Sequence, residues 1–206
     1  MLIKILMATP RYNFDDIRII ICAHGYSLDY QYVVREIGFW TNGVSGSISF
    51  NCKINKRQLD GKTLRTIRCL EEEIHGIKLN KRVDNGLALS DINAVLRTLY
   101  HMSDDNKAKC IGICRDENIK GLLYKAGLGN YVVEIDNLLM FDRTTDKCPS
   151  NPELQIVMQN NPNKYVICNL HDNLKTYDYP ICSKVKAQYI GEYCKEYQYH
   201  VNSQKL

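Results

Sequence analysis

The chain contains no apolar run approaching the ~18–20 residues that a membrane-crossing helix needs, so no membrane partner is expected. It has no internal repeat and no low-complexity tract, which argues against a repeat array or a disordered linker. It has a single tryptophan. It has no phosphate-cradling glycine loop, because its Gly-x-Gly, Gly127 to Gly129 in LYKAGLGN, closes a helical stretch instead of opening one. The N-terminal stretch MLIKILMATPRYNF offers too little apolar sequence for a signal-peptide core, so the expected location is intracellular, cytoplasm or nucleus.

What is present is an ordinary globular balance. The 206 residues are 45% hydrophobic and 24% charged, with a net charge of +4. That length supports one domain with a real core. The expected organisation is an N-terminal extension over residues 1–16 and one domain over 17–206, with a Cys/His-bearing segment at 142–199. The nine cysteines (Cys22, Cys52, Cys69, Cys110, Cys114, Cys148, Cys168, Cys182 and Cys194) are odd in number, and several sit in apolar runs. They read as reduced thiols and not as a disulfide framework.

Periodicity predicts the elements. Ile17 to Ala23 is a continuous β-branched run, a central strand that a turn at His24-Gly25 should end. Tyr32 to Trp40 is a second strand, TNGVSG a hairpin turn, and Ser47 to Ile54 a third strand with one wet face. Leu64, Ile67, Leu70 and Ile74 recur at helical spacing over Asp60 to Ile77, with EEE as the solvated face and Gly76 as the stop. A helix over Ser90 to Met102 takes Ser90 as its cap and buries Ile92, Val95, Leu96 and Leu99. Cys110 to Cys114 is a strand, RDENIKGLLYKAGL a helix ending near Gly127, and Tyr131 to Ile135 a strand. Residues 142–163 read as loop around a short apolar patch, Leu154 to Met158. A short strand, a Cys/His loop and a last helix from Ser183 complete the chain. The order β-β-β-α-α-β-α-β-α is that of the ribonuclease H-like fold, an α/β architecture with a mixed sheet of about five strands flanked by helices.

The stretches VVREIGFW, CLEEEIHGI and ICNLHDN…YPICSKVKA resemble a group of uncharacterised proteins of insects and of insect-associated viruses or mobile elements. These in turn look like divergent DEDD 3′–5′ exonucleases of the ribonuclease H-like fold, and the resemblance spans Ile17 to Cys194. It implies chemistry by two divalent metals that clamp the attacking water and the leaving oxygen of a phosphodiester. Magnesium and manganese need hard carboxylate oxygens. The family supplies an Asp-x-Glu on the first strand, one Asp near the helix after the fourth strand and one on the last helix. Here the first pair falls on Cys22 and His24, the third near Asp116, and the last helix presents Lys184 and Lys186, whose charge repels metal ions. The expectation is therefore a catalytically degenerate nuclease-like protein of viral or mobile-element origin, binding nucleic acid or a protein partner, a reading that leans away from an enzyme without deciding it. One alternative is an active Mg/Mn-dependent exonuclease with its acids regrouped from Asp29, Asp116 and Asp136, in which Asp116 and His24 would be catalytic. Another is a structural or self-assembling protein.

Two further constellations carry chemistry. Cys168-x-x-His171 puts two zinc-type ligands on one tight turn, with Cys182 and Cys194 as partners for a structural zinc. Lys53, Lys56, Arg57, Lys62, Arg65, Lys81 and Arg82 form a basic cluster near aromatic strands, a surface for RNA or DNA. Acids at Asp60 and Glu71 to Glu73 dilute that field. Cys22, His24 and His75 suggest a nucleophile pair, but Cys22 sits in an apolar run and reads as a packed small hydrophobe.

Overall fold

The computed structural model describes residues 11–28, 31–102, 108–141, 149–172 and 180–203. Three antiparallel strands open the domain: β1 (Ile17–Leu28), β2 (Gln31–Thr41) and β3 (Val44–Asn51). Asn42 and Gly43 join β2 to β3 with φ of 46° and 85°, the two-residue turn that Asn-Gly predicts. Then follow α1 (Gly61–Cys69), a π-helical turn over Leu70–Ile74, β4 (Leu87–Ala88), α2 (Ile92–Met102) and β5 (Cys110–Ile113). The chain continues with α3 (Glu117–Lys125), β6 (Val132–Glu134), α4 (Asn151–Asn160) and α5 (Ser183–Ser203). The fold is α/β: a six-stranded mixed sheet in the order β4-β3-β2-β1-β5-β6, flanked by helices. β5 runs parallel to β1, and β6 parallel to β5.

β1 is the axis. Its side chains alternate between two cores, which is why its sequence is apolar without a break. Ile19, Ile21 and Ala23 pack with α2 and α3, while Ile20 and Cys22 pack with Trp40 and the Ala187, Ile190 and Cys194 face of α5. Each fully buried isoleucine here contributes roughly 1.5–3 kcal/mol. α5 lies close to the sheet because β2 carries Gly38, where a Cβ would come within 2.0 Å of the Ser183 carbonyl carbon. The N-terminal stretch joins this second core, with Phe14 stacked 6.1 Å from Trp40 and Tyr12 bridged to Leu138.

Several expectations are corrected. β1 does not turn at His24-Gly25; it shifts register there and runs on to Leu28. Gly25 serves close approach, since a Cβ would meet the Val33 carbonyl oxygen at 2.2 Å. The predicted helix over Asp60 to Ile77 stops being α-helical at Cys69, and the π-helical turn rotates Glu71 inward. Glu71 is therefore 7% exposed and not part of a solvated face; it accepts from the Leu79 amide at 2.7 Å and pairs with Lys56 at 3.1 Å. Ser90 lies inside a 3-10 turn ahead of α2 instead of capping it. Part of the predicted 142–163 loop is α4, held by a Ser150–Glu153 capping box with Pro152 in its first turn. No strand forms over 161–172, whose Asp172 amide bonds the Gly76 carbonyl instead of a sheet neighbour.

Candidate metal centre

Arg35 and Glu36, in the middle of the otherwise apolar VVREIGFW, are both 0% exposed. Glu36 faces the α5 side of the sheet, directly across from His24 on β1. Cys168 and His171 come from the irregular 161–172 segment, and Cys182 stands immediately before α5. Three backbone hydrogen bonds and one side-chain bond bring these pieces together. Tyr165 N donates to Asn161 O at 3.1 Å, Asp172 N to Gly76 O at 2.7 Å, and Ile181 N to Ile74 O at 3.1 Å. His171 Nδ1 donates to the His75 carbonyl.

The result is a convergence of four donors. Cys168 Sγ lies 2.8 Å and Cys182 Sγ 3.4 Å from Glu36 Oε1, and His171 Nε2 lies 3.2 Å from Oε2. One donor atom from each of the four lies within 4.8 Å of the others. Ser183 donates both its amide, at 2.9 Å, and its hydroxyl to Oε2, so the N-terminus of α5 faces the carboxylate. The His171 and Glu36 side chains are fully enclosed.

These contacts move the titrations in linked directions. Burial opposes charge on Glu36, but the His171 hydrogen bond and charge overcome it and hold the carboxyl well below its ordinary range. Burial likewise opposes charge on His171, and its bonds to Cys168 and Glu36 outweigh this, raising it to about 10. The hydrogen bond from Cys182 favours a thiolate at Cys168 and, against burial, brings it down to about 6; Cys182 is pushed up in return. Next door, His75 is lowered to about 3 by burial and then by the His171 charge. His24 is lowered by burial and then by His75, whose ring is 5.5 Å away, and its Nε2 is enclosed without a hydrogen-bond partner.

The donor set fits a metal. A tetrahedral ion with bonds of about 2.0–2.3 Å needs donors about 3.3–3.8 Å apart. The four donors lie within 4.8 Å of one another, and the Glu36 contacts to Cys168 and His171, at 2.8 and 3.2 Å, would open slightly to admit it. His171 Nδ1 is committed to a carbonyl, which aims Nε2 at the centre in the tautomer a ligand needs. Two sulfurs and an imidazole are soft to borderline donors, unlike the all-oxygen shells of magnesium or calcium.

Three of the four sequence-derived ligands meet here, and Cys194 does not. It is 0% exposed among Cys22, Trp40, Ala187 and Ile190. Twelve residues along a helix separate it from Cys182 by about 18 Å. Glu36 was missed, although an acid inside a strand that is apolar on both faces is itself a signal. Asp116 Oδ1 caps α3, accepting from Asn118 N at 2.9 Å and Ile119 N at 3.2 Å. Cys22 is buried, and its thiol is pushed up by its hydrogen bond to Cys114 and by burial; the charge of Lys186 acts against this. Among the described residues, the cluster at Glu36 is the one place where three or more His, Cys, Asp or Glu donors gather, and neither Asp116 nor Asp136 belongs to it. Asp29 and Cys148 lie outside the described residues.

The basic cluster divides. Lys56 is paired with Glu71, and Lys81 with Asp172 at 2.6 Å. Lys53, Arg57, Lys62, Arg65 and Arg82 are exposed and form no ion pair among the described residues. The sequence matches no protein-family model, and no curated protein matches it.

Proposed function

We propose that this chain is a ribonuclease H-like protein without a two-metal centre, one that holds a nucleic-acid strand and does not cut it. The resemblance in VVREIGFW and ICNLHDN…YPICSKVKA supports a viral or mobile-element origin. The chain order of a three-strand meander, helices, and two parallel strands separated by a helix supports the frame. One observation carries the loss of catalysis. On β1, Cys22 and His24 stand where the family needs Asp and Glu, and the carboxylate opposite, Glu36, is grouped with two thiols and an imidazole. Two hard divalent ions need several carboxylates, and Glu36 is the one acid in that cluster.

In this reading Glu36, Cys168, His171 and Cys182 hold one structural zinc ion, which ties the 161–172 segment and the start of α5 to β2. Four protein donors close the shell, so the ion has no open position for a substrate. The test is end-labelled single- and double-stranded RNA and DNA incubated with Mg²⁺ or Mn²⁺, beside Asp116→Ala, with zinc measured on the same protein. The expected result is no cleavage, salt-sensitive retention of the strand, and about one zinc per chain. Metal-dependent cleavage abolished by Asp116→Ala would overturn the proposal.

A further inference from the structure

We infer that the cleft between the end of β3 and the 80–88 segment is the place where this protein grips the phosphodiester backbone of a single-stranded nucleic acid. This rests on the nucleic-acid reading above and adds the site. The cleft has a volume of about 400 Å³ and is lined by Asn51, Cys52, Lys53, Asn80, Arg82 and residues 86–88. That is room for one nucleotide unit and far too little for a duplex.

The walls are fixed in advance. Asn51 donates to Val83 O and Gly86 O at 2.8 and 2.9 Å and accepts from Val83 N at 2.8 Å. Asn80 bonds both the amide and the carbonyl of Ile54, at 2.9 and 2.8 Å. Both asparagines are therefore used up in holding the two sides together. Lys53, just after β3, and Arg82, on the 80–88 segment, both line the cleft and are exposed, the cationic groups an incoming ligand meets.

Behind the cleft lies a second positive charge source. Arg35 is fully enclosed, and its hydrogen bonds go to the carbonyls of Phe50, Lys78, Leu79 and Lys81 and to Cys52 Sγ at 3.6 Å. Among the described residues no carboxylate pairs with it. Carbonyls satisfy its protons but leave its charge, and a buried charge is poorly screened. Cys52 is the thin partition between that guanidinium and the cleft. Of the cations on the lining segments 51–59 and 78–88, Lys56 and Lys78 pair with Glu71 and Lys81 with Asp172, which leaves Lys53, Arg57 and Arg82 against the one acid in those segments, Asp84. Exposed cations continue along the chain through Arg57 to Lys62 and Arg65. An isolated phosphate needs one such point, whereas a strand uses a series, and this favours the strand.

The test is fluorescence anisotropy of a labelled oligouridylate and oligothymidylate of about twelve nucleotides, titrated across a salt series. The variants are Lys53→Glu with Arg82→Glu, and Lys53→Gln with Arg82→Gln. The control is Lys125→Glu with Lys195→Glu, which changes net charge equally at exposed positions elsewhere. Circular dichroism and zinc content confirm folding. The cleft variants should weaken binding by at least about tenfold and lower the salt slope by about two, while the control stays near wild type. Equal weakening by the cleft and control pairs would mean diffuse attraction and would overturn the cleft as the site, leaving nucleic-acid binding intact. Absence of binding by the wild-type chain at low salt would overturn both readings together.

Discussion

Arg35 and Glu36 are neighbours on β2, and both are fully enclosed, but for opposite ends. Strand alternation sends them to opposite sides of the sheet. Arg35 gathers the Phe50 carbonyl of β3 and carbonyls of the irregular 78–81 stretch, and Glu36 gathers two thiols, an imidazole and the first amide of α5. A buried carboxylate left alone would cost several kcal/mol, so its retention in an apolar strand asks for a partner of matching charge. Glu36→Gln keeps the size and removes the charge. It should weaken zinc binding at least about 100-fold in competition with a chromophoric chelator. Cys194→Ala should leave zinc stoichiometric and cost about 1 kcal/mol in urea denaturation, because that thiol only fills space. The reverse pattern would restore the Cys194 ligand set and remove Glu36 from it. Cys168 and His171 were legible from the sequence because ligand spacing within a short turn is a local property, whereas Cys182 could be offered there only together with Cys194 as a downstream cysteine. Glu36 was not, because 132 residues separate it from Cys168 and only the folded sheet brings them together.

At the scale of elements, α5 decides the geometry of the centre, and Gly38 decides where α5 sits. A methyl group at Gly38 would have to displace the Ser183 backbone, 2.0 Å from the built Cβ. Gly38→Ala should therefore destabilise the fold by about 1–3 kcal/mol, as overpacking does. It should weaken zinc binding in parallel, since Cys182 and the Ser183 amide move with the helix. Gly121→Ala on α3 is the contrast: nothing lies within 4 Å of its Cβ, and the gain in helix propensity should stabilise by about 0.5–1 kcal/mol. Thermal melts and zinc titration of the two variants read this directly. A Gly38→Ala protein with wild-type stability and zinc affinity would show that α5 does not set the centre. Five of the six strands and most helices were legible because burial on one or two faces writes a period into the sequence; the two-residue β4 is too short to write one, and the strand expected in the tail does not form among the described residues. The misses were places where a local rule lost to a partner far away. Gly25 looked like a turn and is a close approach; Glu71 looked solvated and is turned inward to meet Leu79. Pro152 looked like loop and starts α4.

At the scale of the whole molecule, the metal centre and the basic cleft share one piece of chain. The irregular stretch 74–83 has no ladder of its own. Tyr26, Arg35, Cys52 and Asn51 hold it from the sheet side. From the other side it is held by the segment that carries Cys168 and His171, where Asp172 N reaches Gly76 O and Lys81 reaches Asp172 and the Leu170 carbonyl, and by Ile181 next to Cys182, whose N reaches Ile74 O. In the proposed zinc-bound state, removal of the ion should release the 161–172 segment and with it half of these supports. The expected outcome of chelation is faster hydrogen exchange, by about tenfold or more, at the amides of Leu79, Asp172 and Ile181. Amides of β1 facing β5, enclosed between α2, α3 and α5, should keep their protection. Oligonucleotide binding should weaken in the same samples and return with added zinc, because Asn80 and Arg82 belong to the loosened stretch. Exchange that rises at 161–172 but not at Leu79, with unchanged oligonucleotide affinity, would separate the two sites and make the zinc a local brace of α5 alone.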